Sequence, residues 1–378
     1  MAAITPIVMP KWGLSMAEGT VVAWLVEEGT PIKVGMPILE VESDKIANAV
    51  EAPDPGLLRR RLAAEGDLLP VKALLGVMAP PEVSDAEIDA YVAAYVVPAA
   101  AEGEDDEAGP VFMFTEVDGI RVRYARRGDT VSAQPPALFL HGFGGDLDNR
   151  MFNLDAVAAV VPVIALDLPA HGQSAVQLPG SGTLADLAGF VLHFLDAIDV
   201  DRVHIVGHSM GAAIAAQMAL ASPQRVASLV LISSAGLGAE INAGYIDGFV
   251  AAATRRELKP VVEQLFADPG LVSRQLLDDL LKFKRLDGVS QALTQLGSVL
   301  FGGGRQAAQP VAQLAGRGLP ITVVWGREDR IIPAAHAASA PPGARVEVLE
   351  GAGHMVMMEK AGEVNALILA QVKGAAPS

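Results

Sequence analysis

The sequence predicts a multidomain chain: a small all-β module followed by a larger α/β domain with a mainly parallel sheet. Three observations carry this expectation. Residues 4–79 hold short apolar runs broken by turn pairs at Glu18-Gly19, Glu28-Gly29, Pro55-Gly56 and Glu65-Gly66. The same stretch repeats weakly at an offset of 37 residues: Gly19 matches Gly56, Leu25 matches Leu62, Glu28-Gly29 matches Glu65-Gly66, Val34 matches Val71 and Ile38 matches Leu75. From Val111 onward, apolar strands alternate with helical stretches, the pattern of a parallel sheet covered on both faces.

The bulk numbers agree with two or three domains. The chain has 378 residues, 51% of them hydrophobic and only 5% aromatic, so its cores are aliphatic. The apolar runs are all interrupted by charges or by Gly and Pro before they reach membrane-spanning length. Met1-Ala2-Ala3-Ile4-Thr5-Pro6 lacks the basic start and apolar core of a signal peptide, so a cytoplasmic location is expected. The absence of cysteine excludes disulfides, cysteine nucleophiles and thiolate metal sites. Any thiol chemistry must come from a cofactor or substrate. A net charge of −16 argues against nucleic acid, whose phosphates select basic surfaces.

In the first module, Lys45 stands between Asp44 and Ile46. Pro37-Ile38-Leu39-Glu40 precedes it and Val50-Glu51-Ala52-Pro53 follows. Two similar half-sheets with Lys45 at the turn between them would expose its amine at a hairpin tip, within reach of another enzyme. This stretch resembles a lipoyl domain, the swinging-arm carrier of 2-oxo-acid dehydrogenase complexes. The resemblance covers residues 4–79 and rests on Asp44-Lys45-Ile46, Gly35, and Ala52-Pro53 with Gly56. Biotin carriers share the fold but flank their lysine with methionines, which are absent here. The resemblance implies a biotinyl/lipoyl-like hammerhead fold over residues 1–79, with lipoate attached to Lys45.

Residues 80–109 change character, with nine Asp/Glu and no Lys/Arg. Ser84-Asp85-Ala86-Glu87 reads as a capping box that opens one short helix through Tyr95. The remainder reads as a solvated linker. Thirty residues reach about 100 Å extended and roughly 30 Å as a coil. That is enough for a carrier to visit more than one site. A helix in such a linker is also what a partner-binding remnant would leave.

The α/β domain is expected over residues 110–378. Phe112–Thr115 and Ile120–Tyr124 flank Asp118-Gly119, a hairpin signal. Strands are predicted at Ala137–Leu140, Val161–Leu166, Val203–Val206, Ser228–Ile232, Ile321–Trp325 and Arg345–Leu349. Helices are predicted at Leu184–Ile198, Met210–Ser222 and Glu359–Val372. Between residues 236 and 318 the alternation is lost. A helical cap over the end of the sheet is expected there, where ligands sit in open α/β folds.

Gly207-His208-Ser209-Met210-Gly211 joins a strand to a helix, the required context of a nucleophile elbow. Glycines at both ends allow a strained turn and close helix–strand packing. The turn lifts the Ser209 hydroxyl to the positive end of the next helix. His141-Gly142-Phe143-Gly144-Gly145 ends another strand, and the N–H groups of Phe143 and Met210 are assigned to an oxyanion hole. Donors of this kind are worth about 3–4 kcal/mol of barrier each. Asp329, after the strand Ile321–Trp325, is the expected triad acid, with Glu328 its neighbouring competitor. His354, after the last strand, is the expected base. The order Ser209, Asp329, His354 is that of α/β-hydrolases, which residues 110–378 resemble. Asp167 is expected to cap the turn that contains His171. His141 and His208 are expected to order the loops of the site, His193 and His204 to pack or lie at the surface, and His336 to be exposed. No histidine pair has metal-ligand spacing in a supporting context, so no metal is expected.

The His-x-x-x-Asp-Gly signature of the usual 2-oxo-acid acyltransferases is missing. The chain as a whole resembles instead the acyltransferase component of the acetoin-cleaving (acetoin dehydrogenase) system, in which a lipoyl domain precedes an α/β-hydrolase-like domain. That resemblance implies transfer of acetyl from S-acetyldihydrolipoyl-lysine to coenzyme A. It also implies a thiamine-diphosphate-dependent acetoin-cleaving partner, a flavin-dependent dihydrolipoyl dehydrogenase and a homo-oligomeric core. In the cap, Arg255, Arg256 and Lys259, with Lys282, Lys284 and Arg285, form a basic excess that would hold the phosphates of coenzyme A or else be solvated helix faces. Two other readings stay open. One is a serine carboxylesterase that carries a lipoyl domain. The other is a carrier or scaffold whose hydrolase half is only structural.

Overall fold

The structure, a computed structural model, describes residues 4–10, 16–33, 35–43, 47–52, 54–97, 112–128, 134–150 and 152–374. The chain divides into two compact units, one of Met1–Pro110 with Leu271–Leu276 and the other of Val111–Gly270 with Leu277–Ser378.

The first unit contains, among the described residues, β1 (Thr5–Val8), β2 (Glu18–Trp24), β3 (Pro31–Ile32), β4 (Pro37–Glu42), β5 (Ala47–Glu51), β6 (Gly56–Arg61), β7 (Leu68–Pro70), β8 (Leu74–Met78) and the helix α1 (Asp85–Ala94). The strands form two four-stranded sheets, ordered β1-β8-β6-β3 and β5-β4-β2-β7. The offset of 37 carries β2 onto β6, β3 onto β7 and β4 onto β8, and these pairs hold equivalent places in the two sheets. Sequence repeat and sheet symmetry are therefore the same fact. Ile38, Leu39, Val41, Leu58 and Leu75 fill the core between the sheets. β4 pairs with β5 to the point where Glu42 faces Ala47. Lys45, with Asp44 and Ile46, lies outside the described residues.

The short helix differs from a free linker helix. Its capping box is as expected: Ser84 Oγ accepts from Glu87 N, and the Glu87 side chain accepts from Ser84 N. However, α1 is docked. Ile88 is fully buried with Val77, Ala79 and Val83. Arg59 bonds Asp85 at 3.0 Å, and Tyr95 Oη donates to Lys72 O at 2.8 Å. The packing of the first unit thus runs past residue 79 to Tyr95. The physical reason is that Ile88, Tyr91 and Val92 present an apolar face that β8 can cover.

The second unit holds β9 (Met113–Val117), β10 (Ile120–Arg127), β11 (Ala137–Leu140), α2 (Leu154–Ala158), β12 (Val163–Leu166), α3 (Leu184–Ala197), β13 (Val203–His208), α4 (Met210–Ala221) and β14 (Val226–Ile232). Next come α5 (Ala243–Ala251), α6 (Arg255–Val262), α7 (Arg274–Lys284) and α8 (Val289–Phe301). The chain then returns through β15 (Ile321–Gly326), β16 (Arg345–Leu349), α9 (Val356–Glu359) and α10 (Ala361–Gly374). The sheet order is β16-β15-β14-β13-β11-β12-β10-β9. β11 to β16 pair in parallel, and the β9–β10 hairpin joins antiparallel at one edge. Asp118 and Gly119 both have positive φ (51° and 77°), which matches the twist of a two-residue hairpin. β11 to β15 are buried throughout, as a parallel sheet between helix layers requires.

Several element ends lie one to three residues from their expected places, and two of them show why. β12 starts at Val163 rather than Val161, because Pro162 has no N–H for the ladder and its oxygen instead accepts from Ala137 N. The last helix starts at Ala361 rather than Glu359, because Lys360 has φ −129° and ψ 48° and Glu359 closes the short α9 instead. Between β14 and β15 the alternation gives way to α5–α8, and the two ends of this insertion are tied. Gln306 Oε1 accepts from Gly236 N at 2.6 Å, and its Nε2 donates to Glu240 O at 2.8 Å.

Candidate active site

Ser209 sits at the junction of β13 and α4 with φ 51° and ψ −116°. This strained backbone costs on the order of 1–3 kcal/mol and persists only because its surroundings hold it. The flanking glycines show how. A Cβ on Gly211 would lie 2.4 Å from Leu140 O, and one on Gly207 would lie 2.6 Å from the Ala212 Cα. Ser209 N donates to Ile232 O at 2.9 Å, and Ala235 N donates to Ser209 O at 3.1 Å. The elbow is thus stitched to the neighbouring strand.

The loop after β11 is ordered by two histidines. His141 Nε2 accepts from Leu168 N at 2.9 Å, so its Nδ1 carries the proton and donates to Gly142 O at 2.8 Å. His171 Nε2 accepts from Gly144 N at 3.1 Å while its Nδ1–H donates to Pro169 O at 2.9 Å. Burial, with the nearby His141 ring, pushes the His171 pKa down to about 3, so it is a neutral acceptor at physiological pH. His171 is therefore more than a turn residue. Phe143, between these anchors, meets Phe249 of α5 and Phe301 of α8 edge-on, each at 6.1 Å. The cap helices press directly on the loop that carries one expected oxyanion donor, and Met210 N, the other, opens α4.

His354 Nδ1 and Asp329 Oδ2 are 2.8 Å apart, with both side chains buried. The other donors around Asp329 are Trp325 Nε1 at 3.0 Å, Ile331 N at 2.8 Å and Ile332 N at 3.0 Å. A carboxylate so supplied stays oriented and leaves Nε2 of His354 as the basic nitrogen. Glu328 points elsewhere: its Oε2 accepts from Ala352 N at 3.0 Å. Glu359 takes the next amide, Gly353 N, at 2.7 Å, and its second oxygen accepts from Ala267 N of the cap at 2.7 Å. Burial raises the Glu359 pKa against these backbone bonds, which lower it. Met355 N donates to Leu265 O at 3.0 Å. Two carboxylates on successive amides therefore brace the His354 loop, and one of them also holds the cap.

Residues 135–361 match the α/β-hydrolase fold family, and residues 5–78 match a family described as biotin-requiring enzyme. The chain is 62% identical over 371 residues to a dihydrolipoyllysine-residue acetyltransferase component of the acetoin cleaving system from Cupriavidus necator, which covers 98% of each chain. It is 50% identical to the component of the same description from Pseudomonas putida, over 98% of this chain and 99% of that one. The chain belongs to this acetyltransferase-component family. Among solved structures, a meta-cleavage product hydrolase from Pseudomonas fluorescens matches with a TM-score of 0.62 at 19% identity, over 70% of this chain and 98% of that one. That likeness shows the fold alone.

The remaining sequence candidates have plain roles. Asp167 does hold the turn, accepting from Gln173 N at 2.7 Å, but it also bonds Arg123 Nε at 2.6 Å and Leu147 N at 2.9 Å. This buried pair locks β10 to the loop after β12. His204 is buried against Ser228 Oγ at 2.8 Å, and burial with Arg202 nearby lowers its pKa to about 4. His193 is exposed, 2.7 Å from Asp118. His336 is not exposed as expected: it is buried, 2.8 Å from Glu240, with its ring against Trp325. The basic cap residues are engaged. Arg255 Nε bonds Asp278 at 3.0 Å, Lys259 lies 3.6 Å from Glu263, and Lys282 lies 2.9 Å from Asp279. Arg256 is exposed. Lys284 is buried and donates to Phe249 O and Ala252 O at the end of α5, so burial pulls its pKa down and removes it from any surface cluster. The bridging by Glu359, the burial of Lys284, which was expected in a basic surface cluster, and the His171 acceptor were not foreseen. Their partners lie far away in the chain, and an acid at the head of a helix is only a weak local cue.

Proposed function

We propose that this chain is a dihydrolipoyllysine-residue acetyltransferase that moves acetyl from S-acetyldihydrolipoyl-lysine to coenzyme A. The observation that carries this reading is the 2.8 Å His354–Asp329 pair at the sheet end that presents Ser209, in a chain whose other unit has the lipoyl-type fold. Lipoate on Lys45 fits that unit: β4 and β5 pair up to Glu42 and Ala47, and the residues between them carry one amine. Bound there, it supplies the sulfur that carries acetyl.

Ser209 gives its proton to His354 Nε2 and attacks the acetyl carbonyl carbon. The N–H groups of Met210 and Phe143 receive the oxyanion. When the C–S bond breaks, His354 returns the proton to the departing sulfur, which leaves acetyl-Ser209. His354 then takes the proton of the coenzyme A thiol, whose sulfur attacks the ester carbonyl, and gives it to Ser209 Oγ as the C–O bond breaks. Asp329 holds the imidazole throughout. Partner enzymes fit the same reading: a thiamine-diphosphate-dependent component loads the arm, a dihydrolipoyl dehydrogenase reoxidises it, and copies of this chain form the core.

Rapid-quench mass spectrometry with S-acetyldihydrolipoamide and no coenzyme A tests this. Acetyl on Ser209 that disappears when coenzyme A is added is the expected result. Transfer without any labelled Ser209 would favour direct attack by a His354-activated thiol. Fast acetate release with no response to thiols would indicate an esterase. An intact complex turnover in Ser209→Ala would indicate a scaffold.

A further inference from the structure

Ser209 is only 5% exposed, so a reacting sulfur needs a path to it. A cavity of about 300 Å³ lies between the start of α3, the first two turns of α4 and the end of α8. Ala185, Ala307 and Ala308 are exposed at its mouth, while Met210, Ala213, Ala235 and Phe301 are buried at its floor. The floor includes one expected oxyanion residue and a ring that packs on the other. Met210 belongs to it, and Phe301 packs edge-on against Phe143. Met210, Ala213 and Gln217 share one face of α4, so this wall runs about 10 Å along the helix.

Taking the acyl-transfer reading above as its basis, we infer that this slot receives a linear, thiol-ended amide arm and guides its sulfur to Ser209 from the Met210 side. Dihydrolipoyl-lysine and the pantetheine part of coenzyme A share that chemistry. The shape suits it. A cavity of this volume is at the low end for ligand sites and is adequate for a chain of methylenes and amides. Alanines at 185, 213, 235, 307 and 308 keep it narrow, and its apolar walls match methylenes. Gln217, half-buried along the wall, offers a hydrogen bond to an arm amide, while Thr183 at the mouth is held by its capping bonds to Asp186. Gln306 is held by Gly236 N and Glu240 O, so it forms a fixed wall. One slot serves both arms because the donor thiol leaves before the acceptor enters. Dihydrolipoamide and coenzyme A therefore compete for the same form of the enzyme.

The test uses the full chain with Ala213→Leu, which narrows the floor, and Ala308→Phe, which narrows the exposed mouth and spares the core. Acetyl-Ser209 is discharged by pantetheine, coenzyme A, dihydrolipoamide or 2-mercaptoethanol. Expected is a fall of at least about ten-fold in the rate for each long arm relative to 2-mercaptoethanol in both variants. Ratios within about two-fold of the unsubstituted chain in both variants would overturn the slot. A fall confined to one arm would overturn its shared use. An unsubstituted chain that neither acquires acetyl at Ser209 nor transfers acetyl to any thiol would sink the acyl-transfer reading instead, so the two failures are separable.

Discussion

His208 and His354 stand 146 positions apart in the chain, yet His208 Nε2 donates to the His354 main-chain oxygen at 3.0 Å, with the rings 4.7 Å apart. The residue before the elbow serine thus holds the loop of the base. Ser209 and His354, the proposed nucleophile and base, are registered against each other through one hydrogen bond. His208→Phe keeps a ring and removes the donor. The expected result is a fall of about ten-fold or more in kcat with the KM for the acceptor thiol within about two-fold, read by steady-state kinetics.

Asp329 and Glu328 are adjacent but do different work. Asp329 faces His354, while Glu328 holds Ala352 N. Asp329→Asn is expected to lower kcat by roughly a thousand-fold or more, because the amide favours the wrong tautomer of His354. Glu328→Gln is expected to cost about ten-fold at most. Equal losses would mean that the acid has been misassigned.

Glu359 joins Gly353 N to Ala267 N through its two oxygens. Glu359→Gln keeps the shape but leaves one N–H facing an amide NH₂, so the cap segment and the His354 loop come apart. The expected result is a rise of about five-fold or more in the ratio of acetate released to acetyl transferred, since water then reaches acetyl-Ser209. Global destabilisation would lower both products together. A constant ratio therefore counts against the bridge.

His171 gives a pH dependence. Its folded pKa, about 3, lies below the value near 6.5 of an exposed histidine because burial excludes the charged form. Between those values the unfolded chain binds more protons. Its stabilising contribution is therefore complete above about pH 6.5 and is lost as the pH falls toward 3, on the order of 5 kcal/mol over the full window. In His171→Gln the decline in Tm between pH 7 and pH 5 should be shallower, as measured by calorimetry. An unchanged slope would assign the acid sensitivity to other groups, with His204 next in line.

Lys45→Arg separates carrier from catalyst. Material from a lipoate-competent host should lose the lipoyl mass and all transfer that starts from the tethered arm. Acetyl transfer from free S-acetyldihydrolipoamide should stay within about two-fold. Retention of the modified mass in the variant would place the attachment elsewhere.

Neighbouring residues along the chain were enough to define both folds, the turn at Asp118-Gly119, the elbow at Ser209 and the capping box at Ser84. Each rests on φ/ψ preference, hydrophobic period or spacing, which act over a few residues. The repeat at 37 even anticipated the matching orders of the two small sheets, because equal segments seek equal partners. Other facts depend on which distant atoms come within 3 Å. The Ala267 and Gly353 amides meet on Glu359, Gly144 meets His171, and the ammonium of Lys284 is buried beneath α5. The docking of α1 and the use of Glu328 to hold Ala352 N belong with them. No local pattern encodes a buried donor's partner 92 residues away. Only the packed chain, which must satisfy every polar group it hides from water, selects it.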